Sequence, residues 1–568
     1  MIGSMFSSRF YFFFILFSIL VISSCIPSKQ ILQPNIFSSV SVLQQKNSNL
    51  SNEELKTWHT KDVFIDTLPG ISLDKAYDFV GKKRADTVIV AILDMTVDIE
   101  HEDLLYSIWK NIGEIPNNGL DDDSNGYVDD INGWNFIGWT NNESSQFVNY
   151  EYTRILRKYH SRFKGKEKNE INDSLSWEYD QYIRAQEAFN ERMSFAKDEK
   201  NNALALTKLN KANKELLSKY IPETNFTLEN LSNLSSDYKS NSELQEAIEF
   251  RKELIQYGIL DSIIIEDQLK ADERIDKLLN LKYNDREPIG DKFPENVKYK
   301  GYGNSNINYN TSLLNHGTLV AGVLAANREN GIGAMGITNA VKIMPLSISA
   351  YGDEHDKDMA LAIRYAVDNG ARIINISSGK SFSMNQEWVH EAILYASKKN
   401  VLIITSASND GMNLDDNGVY NYPNDTDKMG NEIGNNFIKV GSITHKVGKD
   451  LFDVYSNYGK REVDIFAPGE EIYTTSPYKD KYTFESGTSF AAPIVTGVAA
   501  LIISYYPHLT AEEVKNIILE SGIEYTIDVN ISKDEEQPKL VPFVTLSKSG
   551  KVVNAYYALK LAGLYRPK

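Results

Sequence analysis

Apolar, β-branched runs that alternate with helical patterns constrain this chain more than any other feature. Residues 87–93 read Thr-Val-Ile-Val-Ala-Ile-Leu, and the run ends on Asp94. A continuous run of this kind is typical of a strand buried on both faces, as in a parallel sheet covered by helices. The same alternation recurs downstream at 341–346, 357–369, 372–376, 386–399 and 401–405. It predicts βαβ units and an α/β fold with a doubly wound, mostly parallel sheet.

Composition excludes several classes of protein. The 568 residues carry 60 basic and 77 acidic side chains, for a net charge of −17, and 42% of the residues are hydrophobic. Such values are those of folded soluble domains and not of collagen-like, disordered or polytopic membrane chains. The acidic balance argues against nucleic acid as a partner, because phosphate binding needs clustered Lys and Arg. Cys25 is the single cysteine, so the chain cannot hold an internal disulfide or a multi-thiolate metal site.

The first 25 residues have the pattern of a signal peptide. Arg9 precedes an apolar run over 10–22, and Ser-Ser-Cys25 follows. The run is shorter than the roughly 20 residues that a membrane-spanning helix needs. The segment resembles the lipobox of bacterial lipoproteins, which implies a diacylglycerol on Cys25 and a place in the cell envelope, facing periplasm or exterior. The alternative is an incidental cysteine after a membrane anchor. Residues 26–70 are interpreted as a tether, without pattern to about Ser51, and an N-terminal extension.

Residues 141–290 differ from the rest of the chain. A long helical pattern begins with a cap at Ser174 and ends before Pro222, and a second helix is predicted from Ser242. The stretch is interpreted as an α-helical insertion that divides the main domain into 71–140 and 291–568. Two hypotheses remain open: a helical hairpin folded on itself or on the main domain, and a lid or partner-binding arm.

Three separated residues together indicate nucleophilic catalysis. Asp94 closes a buried strand, His316 begins a helix of small and apolar residues, and Ser489 lies where a loop enters another such helix. A serine hydroxyl becomes a good nucleophile when a neutral imidazole takes its proton, and a carboxylate fixes the imidazole's tautomer. A position at a helix start adds a favourable field and a free N–H for an oxyanion.

The blocks Gly-Thr-Ser-Phe-Ala-Ala-Pro at 487–493 and His-Gly-Thr at 316–318 carry a resemblance to the subtilisin-like serine proteases, the subtilases, over about 71–140 and 295–565. The resemblance implies that Ser489 is the nucleophile, His316 the base and Asp94 the orienting carboxylate. It also implies that Asn409 supplies the oxyanion hole and that 377–379, Ser377-Ser378-Gly379, bind extended substrate. The expected protein is a monomeric serine endopeptidase acting on proteins or peptides, with no organic cofactor.

Three departures from the family pattern bear on activity. Met95 follows the aspartate where the family has Ser or Thr, Leu319 replaces a second His, and Ser408 replaces the Gly before the oxyanion Asn. The alternative function is therefore a weak or inactive subtilase-like surface protein that binds peptides or a partner. An α/β-hydrolase esterase is disfavoured, because Ala491 stands where that family has Gly and the chain order of the triad differs.

An acidic loop at 117–130 predicts a structural calcium site. Oxygen-bearing residues alternate around a Gly turn as in the first half of an EF-hand loop. The bidentate Glu expected at the twelfth position is absent, since Asn132 occupies it. A solvated acidic turn is the alternative. The predicted Ca²⁺ ligands are Asp121, Asp123, Asn125, the backbone carbonyl of Tyr127 and Asp130, with Asp129 as the alternative to Asp130 for closing the cage.

Overall fold

A ten-stranded sheet is the largest element in the part of the chain that this computed structural model describes, residues 39–40, 50–427, 429–478, 481–534 and 536–566. The strands of the structure are β1 (Ser39–Val40), β2 (Val88–Asp94), β3 (Trp134–Asn135), β4 (Val341–Ser347), β5 (Ile373–Ile376), β6 (Leu402–Ser406), β7 (Phe437–Ile443), β8 (Ile465–Pro468), β9 (Ile472–Thr475), β10 (Tyr482–Glu485), β11 (Ile523–Tyr525), β12 (Asp528–Asn530), β13 (Leu540–Pro542) and β14 (Lys551–Val552).

The large sheet has the order β1-β11-β14-β8-β7-β6-β5-β2-β4-β3, while β9 pairs with β10 and β12 with β13. Neighbours in the large sheet are parallel except β11 and β14. The predicted mostly parallel α/β fold is confirmed.

Helices cover both faces of this sheet. They are α1 (Asn52–Leu55), α2 (Leu73–Val80), α3 (Glu151–Phe163), α4 (Ser176–Leu217), α5 (Leu228–Asp237), α6 (Ser242–Gln256), α7 (Asp261–Glu273), α8 (His316–Ala325), α9 (Asp356–Asp368), α10 (Gln386–Lys398), α11 (Thr488–Tyr505), α12 (Ala511–Ser521) and α13 (Ala555–Ala562). Successive side chains of a strand point to opposite faces. Val90 and Ile92 of β2 accordingly pack with α8 and α11, whereas Ala91 and Leu93 pack with α9 and α10.

The N-terminal extension is part of the folded domain. Ser51 and Glu54 form a capping box at α1, and the fully buried Trp58 donates through Nε1 to the Glu470 carbonyl at 3.1 Å. Val40 pairs with Tyr525 at the sheet edge. The prediction of an unpatterned tether up to about Ser51 is therefore wrong at β1, where the chain adds a strand. Cys25 and the predicted signal peptide lie outside the described residues.

The stretch predicted as a helical insertion contains α3 to α7. α4 alone has 42 residues, so it extends about 60 Å at 1.5 Å per residue. At its far end Leu217 packs with leucines of α5 and α6. At its near end Tyr182 packs with α3 and with Phe382 of the main domain. The insertion thus folds both on itself and on the main domain.

Two predicted helix starts in this region are displaced. α4 begins at Ser176, after a short 3₁₀ turn that includes Ser174. At α6 the side chain of Asn241 accepts from the Leu244 N–H, so Asn241 is the cap and Ser242 is already the first helical residue. Asn caps a helix as well as Ser does, and both occur here side by side.

One helix within the described ranges is long and apolar enough to cross a membrane. This is α11, with a mean hydropathy of 1.6, and 89% of it is buried inside the protein. It packs against β5, β6, β7 and β8, so it is the core helix of the domain. Its first turn carries Ser489 to the edge of the sheet where parallel strands end.

Candidate active site

Asp94 occupies the carboxyl end of β2 and is 1% exposed. Its Oδ1 accepts from the Met95 N–H and faces His316 Nδ1, both at 2.7 Å. Its Oδ2 is buried without a hydrogen-bond partner. The Thr96 hydroxyl donates instead to the Leu314 carbonyl. Because Met95 stands where the family has Ser or Thr, no hydroxyl at position 95 can donate to the carboxylate, and the Thr96 hydroxyl does not replace it. Among the described residues, the Asp94 carboxylate is thus held through Oδ1 alone.

His316 begins α8, with its side chain 27% exposed toward the cleft. Gly317 allows the first turn of α8 to lie close to the backbone of Thr96, since a Cβ there would lie 2.6 Å from the Thr96 carbonyl oxygen. Burial of the ring opposes protonation, but the Asp94 carboxylate outweighs it, with help from Glu485, and the pKa of His316 is raised above its usual value. Leu319 lies in the apolar core, 4% exposed, so this departure from the family pattern is a packing residue away from the ring.

Ser489 follows Gly487, whose φ of +132° lies in the region that favours glycine. The Ser489 hydroxyl donates to the Ser377 carbonyl at 2.9 Å. Its backbone N–H, in the first turn of α11, makes no hydrogen bond with another described residue. The Ser489 hydroxyl is thus held by the segment predicted to bind substrate, and an N–H without a partner among the described residues lies beside it.

Asn409 is fixed through its carbonyl oxygen. Oδ1 accepts from the Thr488 N–H at 2.9 Å and from the Thr488 hydroxyl at 3.1 Å, which leaves the Nδ2 donor for a ligand. The preceding Ser408 has a φ of +71°, and glycine is the usual residue at such a position because a side chain is strained there. The Ser408 hydroxyl accepts from Asn421 Nδ2 at 2.8 Å, which offsets part of that strain.

A single cavity of about 770 Å³ joins these groups, lined by Asp94, His316, Asn409, Ser489 and 377–379. Ser377 to Gly379 follow β5, and the backbone groups of Ser378 and Gly379 form no hydrogen bond within the described ranges. Unpaired backbone at a strand end can pair with an extended peptide. The structure therefore brings the four predicted catalytic residues and the predicted substrate segment to one cleft.

The acidic loop forms a different carboxylate cluster from the predicted one. Asp123 and Asp130 lie with Glu114, their oxygens within 4.8 Å of one another. Asp121 instead accepts from the N–H groups of Asn125 and Gly126 and closes the turn.

Of the other predicted calcium ligands, Asn125 reaches the cluster through its amide donor. The Asn125 amide donates to Asp123 and Asp130, and the Tyr127 ring is buried against Trp134 and Tyr365. Burial raises the pKa of Asp130 to about 6, although hydrogen bonds from Tyr365, Asn125 and Asn111 act against this. Glu114 lies upstream of the loop pattern, and no spacing rule in the sequence identifies it.

Comparison with known proteins agrees with this architecture. A model of the Subtilase family matches residues 85–539. The cell wall-associated protease of Bacillus subtilis (strain 168) is 31% identical over 222 residues, 39% of this chain and 22% of that protein. Subtilisin DY of Bacillus licheniformis is 32% identical over 209 residues, 37% of this chain and 70% of its own.

Among solved structures, the prenylagaramide maturation protease PagA has a TM-score of 0.34 at 27% identity, over 44% of this chain and 82% of that one. By sequence, the chain thus aligns with 22% of the length of the Bacillus subtilis cell wall-associated protease and with 70% of the length of subtilisin DY. The family model spans most of the chain and includes Asp94, His316, Asn409 and Ser489, so the chain belongs to the subtilase family.

Proposed function

We propose that this chain is a serine endopeptidase that cleaves peptide bonds through an acyl-enzyme on Ser489. The observation that carries the proposal is the Asp94–His316 pair at 2.7 Å, which opens on the same cleft as Ser489. Asp94 Oδ1 accepts from Nδ1 and so directs the Nε2 lone pair of His316 toward the cleft.

Attack begins when the Ser489 hydroxyl exchanges its bond to the Ser377 carbonyl for one to His316 Nε2. The imidazole then takes the hydroxyl proton as Oγ bonds to the scissile carbonyl carbon, and the imidazolium returns that proton to the leaving amine. The negative oxygen of the tetrahedral intermediate accepts from Asn409 Nδ2 and the Ser489 N–H. In the second half of the reaction a water molecule gives a proton to His316 and attacks the acyl-enzyme ester. The bond between the acyl group and Ser489 Oγ then breaks, the imidazolium returns the proton to Oγ, and the carboxylic acid product leaves.

The test is hydrolysis of an unfolded protein substrate by the wild type and by Ser489→Ala. We expect cleavage and labelling by a serine-directed phosphonate in the wild type and loss of both in the variant. Binding of peptides without cleavage by either protein would support the alternative, a non-catalytic peptide-binding relative.

The proposal includes a structural calcium ion at Glu114, Asp123 and Asp130. Carboxylate oxygens are the ligands that Ca²⁺ prefers. Burial raises the pKa of Asp130 because it disfavours the charged carboxylate, and the charge of a divalent cation would offset that cost. Calcium should raise the melting temperature of the wild type and a chelator should lower it. Glu114→Gln should abolish both responses, and an unchanged response in this variant would remove the site.

The proposal also includes a lipid on Cys25 that anchors the protein outside the cytoplasm. Its support is the sequence pattern alone, an apolar run followed by Ser-Ser-Cys. Two or more acyl chains give stable membrane attachment. Cys25→Ser should abolish labelling by a radioactive fatty acid and release the protein from the membrane fraction, and unchanged labelling would refute the anchor.

A further inference from the structure

The helical insertion supplies one side of the catalytic cleft. Ala188, Glu191, Arg192 and Phe195 of α4, here named the α4 wall, line the same cavity as Ser489. Their spacing of three, four and seven residues places them on one face of the helix. Phe195 is 57% exposed and is thus available to a ligand.

Buried charges fix this wall to the substrate-binding segment. Lys380, next to Gly379, places Nζ 2.7 Å from Asp356 Oδ1 and 3.7 Å from Glu151 Oε2 in the first turn of α3. Arg154 of α3 pairs with Glu151 at 2.8 Å. The insertion is therefore held to the cleft through its base, and this arrangement favours packing on the main domain over a free arm.

The charges of this network balance. Its cations and anions, three of each, are Arg154, Arg157, Lys380, Glu151, Asp285 and Asp356. Every anion of the set has a cationic neighbour, and further donors of Lys380 and Arg154 go to the backbone carbonyls of Glu354 and Asp353, at 2.6 and 2.8 Å, and not to their carboxylates.

Two further carboxylates line the cleft beside the network without an ion pair of their own. Asp353 and Glu354, here named the acidic corner, form no ion pair with any described residue. Asp353 Oδ2 accepts from the Glu151 N–H at 2.7 Å, and Glu354 Oε1 accepts from the Ser349 hydroxyl at 2.9 Å. The second oxygen of each has no such bond within the described ranges. Glu354 is 6% exposed, so a buried carboxylate in the cleft is met by a hydroxyl alone.

Two adjacent carboxylates in a partly buried site oppose each other's ionisation. Burial, with the neighbouring charge of Glu354, raises the pKa of Asp353 to about 6, although the Glu151 N–H and the charges of Lys380 and Arg154 act against this. Arg192 on the α4 wall pairs with Glu199 through two bonds of 3.0 and 3.1 Å, and Glu199 also pairs with Arg274 at 2.6 Å, so within the described residues neither arginine forms an ion pair with the acidic corner. A ligand that brings a positive charge would relieve this repulsion.

Aromatic rings surround the same corner. Tyr150 and Tyr152 stack with their centroids 5.0 Å apart and line the cleft, and Phe195 faces it from α4. Such rings accommodate the methylene stem of a long side chain and attract its cationic end. Aromatic walls with an acidic end are the chemistry that binds Arg or Lys.

We propose that the acidic corner and the α4 wall form a subsite for an Arg or Lys side chain of the substrate. This inference rests on the proposed peptidase function. It predicts selectivity for cleavage sites with a basic residue at one position beside the scissile bond.

The test uses quenched fluorescent peptides that carry Arg or its neutral isostere citrulline at successive positions around the cleaved bond. At one position the wild type should prefer Arg by about 30-fold in kcat/KM, mostly through KM, because hydrogen bonds to charged groups are the strong ones. In Glu354→Gln with Asp353→Asn this preference should fall to about 2-fold or less. Glu243→Gln, an exposed acid at the far end of the insertion, is the matched control and should keep it.

The outcomes separate the two proposals. Cleavage of citrulline peptides that is lost in Ser489→Ala supports the peptidase function whatever the Arg preference is. Equal rates for Arg and citrulline at every position, or a preference that the double variant retains at an unchanged melting temperature, would overturn the subsite.

Discussion

The variant Lys380→Met removes a buried cation but keeps an unbranched side chain that can fill the space of the lysine methylene groups. Lys380, Asp356 and Glu151 have side chains no more than 2% exposed, and Nζ also donates to the Glu354 carbonyl at 2.6 Å. Burial alone would lower the pKa of Lys380, but the two carboxylates raise it above its usual value. In Lys380→Met, Asp356 keeps one backbone donor, the Asn385 N–H, and loses its only ion pair among the described residues.

An unpaired buried charge costs about 3–5 kcal/mol. That is a large part of the 5–15 kcal/mol that typically separates folded from unfolded protein. At about 2 °C per kcal/mol, the low end of the range for domains of 150–250 residues because the effect shrinks with size, the melting temperature should fall by roughly 6–10 °C. Because Lys380 follows the segment that is proposed to bind substrate, kcat/KM should fall in parallel.

The assay is urea unfolding followed by fluorescence, with two comparison variants. Lys252→Met removes a cation paired with the exposed Glu249 and should cost less than about 0.5 kcal/mol. Combining Lys380→Met with Asp356→Asn should recover about 2 kcal/mol, since neither charge is then left alone. A loss below about 1 kcal/mol in Lys380→Met, with no coupling to Asp356, would refute the view that this network fixes the insertion.

Three further results are expected at the catalytic centre. The acidic limb of the pH dependence of kcat/KM should have a midpoint above 6.5, because the base must be deprotonated and Asp94 raises the pKa of His316. Asp94→Asn should move this midpoint to lower pH and should lower kcat by about 10⁴. Asn409→Ala should lower kcat by about 10²–10³, a magnitude that comes from a member of the same family, while a kcat within 3-fold of the wild type would exclude it from the oxyanion hole. Ser408→Gly relieves left-handed strain and loses a hydrogen bond, so thermal unfolding should show a net change under about 1 kcal/mol, and a larger loss would show that the hydroxyl dominates.

The interior of the fold could be predicted from sequence because its elements carry unmixed patterns. β2, β4, β5 and β6 begin and end within one residue of the predicted runs, as do α9 and α10 of the predicted helical patterns. Fully buried strands and helices with one apolar face leave the clearest periodic signal. The strands β1, β11 and β14, at one end of the large sheet, have two or three residues each, which is too short for any alternation to show.

The residues of the proposed catalytic site could be placed in one cleft from sequence because each lies in a local motif, whereas the cleft wall could not. Glu191, Arg192 and Phe195 belong to a long helix whose polar and apolar residues follow no single stripe, so sequence spacing does not mark the face toward the cleft. The ion pair of Arg154 with Asp285 joins residues 131 positions apart. Such pairs depend on tertiary packing, and a single sequence holds no local record of them.

The pairing of β1 with β11 also sets how far the domain can stand from a membrane. Fourteen residues lead from Cys25 to Ser39, and a fully extended chain of that length spans about 50 Å at most. A chain free as far as Ser51 would reach about 90 Å. A folded protein of this length is itself about 60 Å across. Under the proposed lipid attachment, the cleft would therefore meet only substrates within about two protein diameters of the bilayer. The pairing of Ser39 and Val40 with β11 would set this greatest distance, because it shortens the free chain after Cys25.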